Sequence, residues 1–180
     1  MQANVLSRDL VVFSGKTAGL EKFFKLEHWR VNVDGREDDR IVWRRGGFVI
    51  VVAVTTDKKI VSIQEYKQAS EQILTCLPAG AIKKGEIPLD TALRELYEET
   101  GYKGEVFRII GPFFNSPDKS TEIHWIAIVH NAVQAGPAKP ESQETILSAE
   151  LLSFEEALAK IKIVLHRLAL HEARSLLSSP

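Results

Sequence analysis

The run Gly47 to Thr56, GFVIVVAVTT, leaves few folds open to this chain. A strand with one wet face carries polar residues at every second place, and this one does not. A short, near-continuous apolar run reads as a strand buried on both faces. Such a strand needs a covering layer on each side, which points to a sheet held between helices. The neighbouring segments supply the parts. Asp57-Lys58-Lys59 reads as a turn, Ile60 to Tyr66 as the next strand and Gln68 to Thr75 as a loop. Gly104 to Ile110, Glu122 to Val133 and Ile146 to Leu152 read as further strands, with a loop over Phe113 to Ser120. Ser153-Phe-Glu-Glu156 forms a capping box for a helix over Phe154 to Ile161, and Val164 to Leu177 is a second amphipathic helix. Upstream, Phe24 to Val33 and Arg40 to Arg45 flank Asp34-Gly35, a strong hairpin signal. Residues 1–20 give only a short strand around Leu10 to Phe13. The expected organisation is an N-terminal β-hairpin subdomain over 1–45 and a main domain over 46–180.

At 180 residues and 44% hydrophobic content the chain buries a core without staples. A net charge of −1 argues against a general electrostatic grip on nucleic acid. The hairpin is nonetheless rich in cations, among them Arg30, Arg36, Arg40, Arg44 and Arg45. These read as a solvated strand edge, as a nucleic-acid surface, or as contacts to a diphosphate. The single cysteine, Cys76, excludes an intrachain disulfide framework and reads as a small buried apolar residue. The longest apolar run is too short to span a bilayer, and MQANVLSRDL lacks the basic start and apolar core of a signal peptide. No membrane, no nucleic acid and a cytoplasmic location are therefore expected.

The chemistry concentrates in Gly80 to Tyr102, GAIKKGEIPLDTALRELYEETGY. On a helical wheel over Leu89 to Thr100, Leu89, Leu93, Leu96, Tyr97 and Thr100 share one face, expected to be buried. Glu95, Glu98 and Glu99 fall on the opposite side, with Arg94 at its margin. Pro88 suits the first turn, and Gly101 suits the left-handed position past the end. Like charges at this spacing destabilise a bare helix by roughly 0.2–0.5 kcal/mol per pair. A solvated acidic face is one reading. The other is a metal site, because carboxylates on a rigid helix suit hard cations that bridge to substrate phosphates. Arg94 is placed to brace a neighbouring carboxylate through its two-pronged fork, with Glu86 as the partner.

This segment resembles the Nudix box: Gly, five residues, Glu, seven residues, then Arg-Glu-aliphatic-x-Glu-Glu-x-Gly. The matching positions are Gly80, Glu86, Arg94, Glu95, Leu96, Glu98, Glu99 and Gly101. At average usages of about 7% per position, chance agreement is negligible. The resemblance implies an α/β fold, the Nudix α/β/α sandwich with a mixed sheet, to which the N-terminal antiparallel β subdomain is added. It also implies hydrolysis of a nucleoside diphosphate linked to another moiety, using Mg2+ or Mn2+.

Three flanking features resemble the ADP-ribose pyrophosphatase and NDP-sugar pyrophosphatase branch. They are Gln64-Glu-Tyr-Lys67 leading to Leu77-Pro-Ala-Gly80, Pro117 in Ser116-Pro-Asp-Lys-Ser-Thr-Glu122, and the N-terminal hairpin. The branch implies that the Ala79 carbonyl, Glu95 and Glu99 ligate metal, with Glu98 and Glu86 joining or orienting them. Phe23 matches an aromatic that stacks on the base, and Arg40 a cation near the nucleotide. Lys67 stands where the branch has an arginine, keeping the charge without the fork. Pro117 is the branch's marker, and Glu122 would line the distal ribose or phosphate region. Cys76 and Asp118 depart from the branch, which usually has an acidic residue and a Gly there. The general base belongs to a loop after the long strand, where Glu144 is the first candidate and Glu141 the second. The expected products from ADP-ribose are AMP and ribose 5-phosphate, and a homodimer is implied. GDP-mannose or another NDP-hexose is an alternative substrate, and a non-catalytic module sensing ADP-ribose or NAD an alternative role. The five histidines show no zinc spacing and read as structural or surface groups.

Overall fold

The computed structural model describes residues 3–11, 25–141 and 145–177. The chain forms two compact units. One runs up to Gly47 and takes in Phe114–Ile123; the other holds Phe48–Phe113 and everything from His124 onward.

The first unit is a three-stranded antiparallel sheet in the order β1(Ala3–Leu10), β2(Leu26–Val33), β3(Arg36–Trp43). Asp34 and Gly35 turn the β2–β3 hairpin with φ of 51° and 86°, so every residue of β2 meets a partner on β3, from Leu26↔Trp43 to Val33↔Arg36. The expected hairpin is present; a strand runs over Ala3–Leu10, whereas Val12 and Phe13 of the strand expected near Leu10 to Phe13 lie outside the described residues. The apolar residues Val5, Leu6 and Leu10 of β1 follow no regular alternation, because the strand is exposed along its whole length. Phe114–Ile123 joins this unit through Trp43, whose N–H donates to the Lys119 carbonyl (2.8 Å) and whose carbonyl accepts from Thr121 N–H (3.0 Å).

The second unit is a sheet in the order β10-β5-β4-β9-β8, with β6 on β5 and β7 on β4. The strands are β4(Gly47–Thr55), β5(Ile60–Lys67), β6(Gln72–Cys76), β7(Ala79–Ala81), β8(Tyr102–Phe114), β9(Ile123–Gln134) and β10(Ile146–Leu152). Gln68 to Thr75, expected as a loop, is a 3-10 turn followed by β6, which pairs with β5 from Ile63↔Cys76 to Lys67↔Gln72. The ladder of this hairpin overrides the weak alternation pattern there. Likewise β8 outruns the expected Gly104 to Ile110 at both ends.

Among the described residues the α-helices are α1(Pro88–Thr100), α2(Phe154–Lys160) and α3(Val164–Leu177). The double-sided strand does what its composition requires. Val49, Val51 and Ala53 of β4 pack with Ala92 and Leu96 of α1 and with Val61, Ala127 and Val129. Ile50, Val52 and Val54 pack on the other face with Ala157 of α2, with Ile161, and with Ala169, Leu170 and Ala173 of α3. Burying side chains of this kind contributes about 1.5–3 kcal/mol each. The capping box is made: Ser153 Oγ accepts from Glu156 N–H, and Glu156 Oε2 accepts from Ser153 N–H at 2.7 Å. No helix among the described residues is long and apolar enough to cross a membrane.

Candidate active site

Helix α1 begins at Pro88 and stops where Gly101 takes φ 75°, its N–H donating to the Tyr97 carbonyl. Its buried face is not the expected one. Thr91, Ala92, Glu95, Leu96, Glu99 and Thr100 are buried, whereas Leu89 is exposed. The buried arc is rotated by roughly a quarter turn toward the carboxylates. The cause is β7, which runs past this side of the helix: Gly80 comes so close that a Cβ there would fall 1.9 Å from Glu95 Oε1. Glu95 and Glu99 are thus only 4% and 3% exposed, not solvated as the wheel suggests.

Buried carboxylates demand partners, and the site supplies them. Arg94 Nη1 donates to Glu95 Oε1 (2.7 Å) and to Glu98 Oε2 (3.0 Å). Arg94 also grips Glu86 with both prongs, Nε to Oε1 at 2.9 Å and Nη2 to Oε2 at 3.0 Å, while Nη2 reaches the Ala81 carbonyl. The expected brace is therefore present, and it serves three carboxylates instead of one. The Arg94 hydrogen bonds, aided by Thr91 and by the Lys83 N–H, pull the Glu86 carboxyl down to about 2. Glu86 in turn is the main reason that the guanidinium is held even more firmly in its charged form. Glu99 Oε2 accepts from the Ala79 N–H at 3.0 Å, which ties the helix to β7.

The strand feeding this corner is anchored from behind. His166 on α3 is buried, and its Nδ1 accepts from Leu77 N–H at 2.9 Å. Burial drives its pKa down to about 3, so the ring is a neutral acceptor, in keeping with a structural histidine. Cys76 is fully buried, and desolvation pushes its thiol up to about 11.

The family model described as the NUDIX domain matches residues 44–172. The chain belongs to the Nudix hydrolase family. It is 35% identical over 162 residues to a methanol dehydrogenase activator from Bacillus methanolicus, a match covering 84% of this chain and 85% of that protein. It is 30% identical over 129 residues to an ADP-ribose pyrophosphatase from Bacillus subtilis (strain 168), covering 72% and 70%. A crystal structure of an ADP compounds hydrolase superposes with a TM-score of 0.80 at 18% identity, over 98% of this chain and 95% of that one, which shows the shared fold.

The donors of this Nudix helix suit a divalent cation. Three carboxylates, Glu86, Glu95 and Glu98, gather around the single guanidinium of Arg94, and the nearly buried Glu99 lies one turn beyond Glu95 on the same helix, an excess of negative charge in a partly buried place. All the donors are oxygens, the preference of Mg2+ and similar ions. Among the described residues no three acidic, histidine or cysteine side chains converge on one point, since Glu98 faces Arg94 and Glu99 the Ala79 N–H.

The remaining expected residues are dispersed. Phe23 and Glu144 lie outside the described residues. Glu141 pairs with Lys83, Nζ to Oε1 at 2.7 Å. Lys67 pairs with Glu65 at 2.6 Å. In the first unit, Arg40 and Pro117 line one cavity of about 460 Å³, together with Trp29, Val42, Phe114 and Asp118. Arg40 pairs with Asp38 (2.6 Å), and Glu122 with Arg45 (3.0 Å). Trp29 and Phe114 are among the cavity residues that sequence reasoning missed. Trp29 follows from the alternation Trp29, Val31, Val33 on one strand face, but Phe114 had no such signal.

Proposed function

We propose that this Nudix hydrolase cleaves the pyrophosphate of ADP-ribose or a related nucleoside diphosphate sugar, giving a nucleoside monophosphate and a sugar phosphate. The observation that carries the reading is the pair of nearly buried carboxylates, Glu95 and Glu99, held on α1 by Arg94 and Ala79. The Bacillus subtilis ADP-ribose pyrophosphatase supports the substrate class.

A divalent cation, Mg2+ or Mn2+, held by Glu95, Glu99 and the Ala79 carbonyl beside Glu98, would supply neutralisation of the pyrophosphate oxygens and a water of lowered pKa. Arg94 donates to Glu86, Glu95 and Glu98 together and so holds the three carboxylates in a fixed orientation. Water attacks one phosphorus, the bond to the bridging oxygen breaks, and the water's proton passes to a carboxylate. Glu144 is our first choice for that base, and Glu141 the second. Arg40, Pro117, Glu122, Lys67 and Phe23 are assigned to substrate binding, and the 1–45 subdomain to a homodimer contact that completes the site. A cytoplasmic location accords with the single, reduced cysteine.

The test is product release from ADP-ribose, GDP-mannose, ADP-glucose, UDP-glucose, NADH and dGTP with Mg2+, with and without Glu99→Gln. Turnover of ADP-ribose that Glu99→Gln abolishes supports the reading. A preference for a hexose keeps the mechanism and moves the substrate. No turnover with tight ADP-ribose binding would leave a sensor. The broad match to the methanol dehydrogenase activator favours a second reading, in which hydrolysis serves a dehydrogenase. Adding the purified chain to a methanol dehydrogenase, with Glu99→Gln as control, tests it.

A further inference from the structure

The loop that leaves β9 is stitched onto α1. A helix leaves its last carbonyls without intrahelical partners, and this loop supplies several. Ala135 N–H donates to the Gly101 carbonyl (2.9 Å) and Lys139 N–H to the Glu98 carbonyl (2.6 Å). The Gln134 side-chain amide bridges the Thr100 and Gly136 carbonyls. Gly136 passes so close to Tyr97 that a Cβ would stand 2.8 Å from its hydroxyl. Backbone contacts thus set the loop's path as far as Lys139. Two residues on, Lys83 Nζ donates to Glu141 Oε1 at 2.7 Å. Lys83 lies in the turn between Gly80 and Glu86, and its own N–H donates to Glu86 Oε2 (3.2 Å), the carboxylate that Arg94 grips. A continuous run of contacts therefore joins Glu141 to Lys83, Glu86, Arg94 and Glu95.

We infer that Lys83 is a positioning residue, which by pairing with Glu141 fixes the end of the 134–141 loop against the carboxylate helix. The inference rests on the hydrolase reading above and gives Glu141 a role other than that of base. The mutual hydrogen bond raises the Lys83 pKa and lowers that of Glu141, so both stay charged around neutrality. The side chains are 50% and 52% exposed, which makes the pair a salt-sensitive one. Exposed pairs of this kind shift a local equilibrium by about two- to fivefold.

The experiment compares wild type, Lys83→Met, Glu141→Gln and the charge swap K83E/E141K. Amide hydrogen exchange at Lys139 is read against Ala135, alongside kcat and KM for the best nucleotide sugar. Both single variants should speed exchange at Lys139 about two- to fivefold, leave Ala135 unchanged, and lower kcat by a similar factor with KM nearly constant. The swap should restore both, and raising salt from roughly 0.05 to 0.5 M should slow the wild type but not Lys83→Met. Unchanged exchange at Lys139 in Lys83→Met overturns the inference. So does a loss of about 100-fold in Glu141→Gln beside a near-normal Lys83→Met, since that pattern belongs to a base. If the wild type hydrolyses no nucleotide sugar, the functional reading fails, and the exchange data still decide whether the tether exists.

Discussion

Gly80→Ala should separate catalysis from folding in this protein. The added Cβ would lie 1.9 Å from Glu95 Oε1, 2.1 Å from its Cδ and 2.7 Å from Oε2. Ordinary contacts to a Cβ begin near 3.4 Å, so the carboxylate must retreat by about 1.5 Å. Gly80 does not have a positive φ, so alanine is acceptable to the backbone and the effect is purely steric. What yields is the end of a flexible side chain, at the cost of the 2.7 Å bond from Arg94 Nη1. Losing one charge-assisted hydrogen bond costs about 1.5–3 kcal/mol. For a chain of this size each kcal/mol lowers Tm by about 2–4 °C, so the variant should fold with Tm reduced by several degrees. A misplacement of about 1 Å in a catalytic group costs about 100-fold in rate. The assay is kcat and KM on the preferred nucleotide sugar at saturating divalent ion, beside a thermal melt. Because the clash is specific to Glu95, Glu95→Asp should cost far less in the Gly80→Ala background than in wild type. A Gly80→Ala enzyme with kcat within threefold of wild type would refute the reasoning, as would a double variant in which the two losses simply multiply.

Two further outcomes follow from the same geometry. Arg94→Lys keeps the charge but loses the fork that holds Glu86 while also reaching Glu95 and Glu98, so kcat should fall about 10- to 100-fold and the Glu86 carboxyl should titrate higher, as read by carboxyl-labelled NMR. The folded pKa of His166, about 3, lies below its unfolded value of 6.5, so between the two the unfolded chain binds the extra proton. Stability is therefore full above that window and falls as the pH drops through it, by up to about 1.4 kcal/mol per unit. Urea melts at a series of pH values should show this slope, and His166→Gln should flatten it.

What local sequence determined is what depends on short separations. The spacing of Glu86, Arg94 and Glu98 along one turn and one helix sets the brace, and the apolar run of β4 commits the sheet to two covering layers. Pro88, Gly101 and the Ser153–Glu156 box mark their helix ends because caps act within a few residues. A wheel, however, records directions on a helix and not what lies across from them. Only the packing of β7 against α1 decided that Glu95 and Glu99 are buried and that Leu89 is left in water. The same holds for β1, which its ladder with β2 makes a strand, and for Phe114–Ile123, which joins the N-terminal unit from the middle of the chain. Lys83 and Glu141 are 58 residues apart, and no local rule connects them. Their meeting is a product of the tertiary structure, because proximity between remote residues is set by the cooperative burial of the core and not by any preference of the residues themselves.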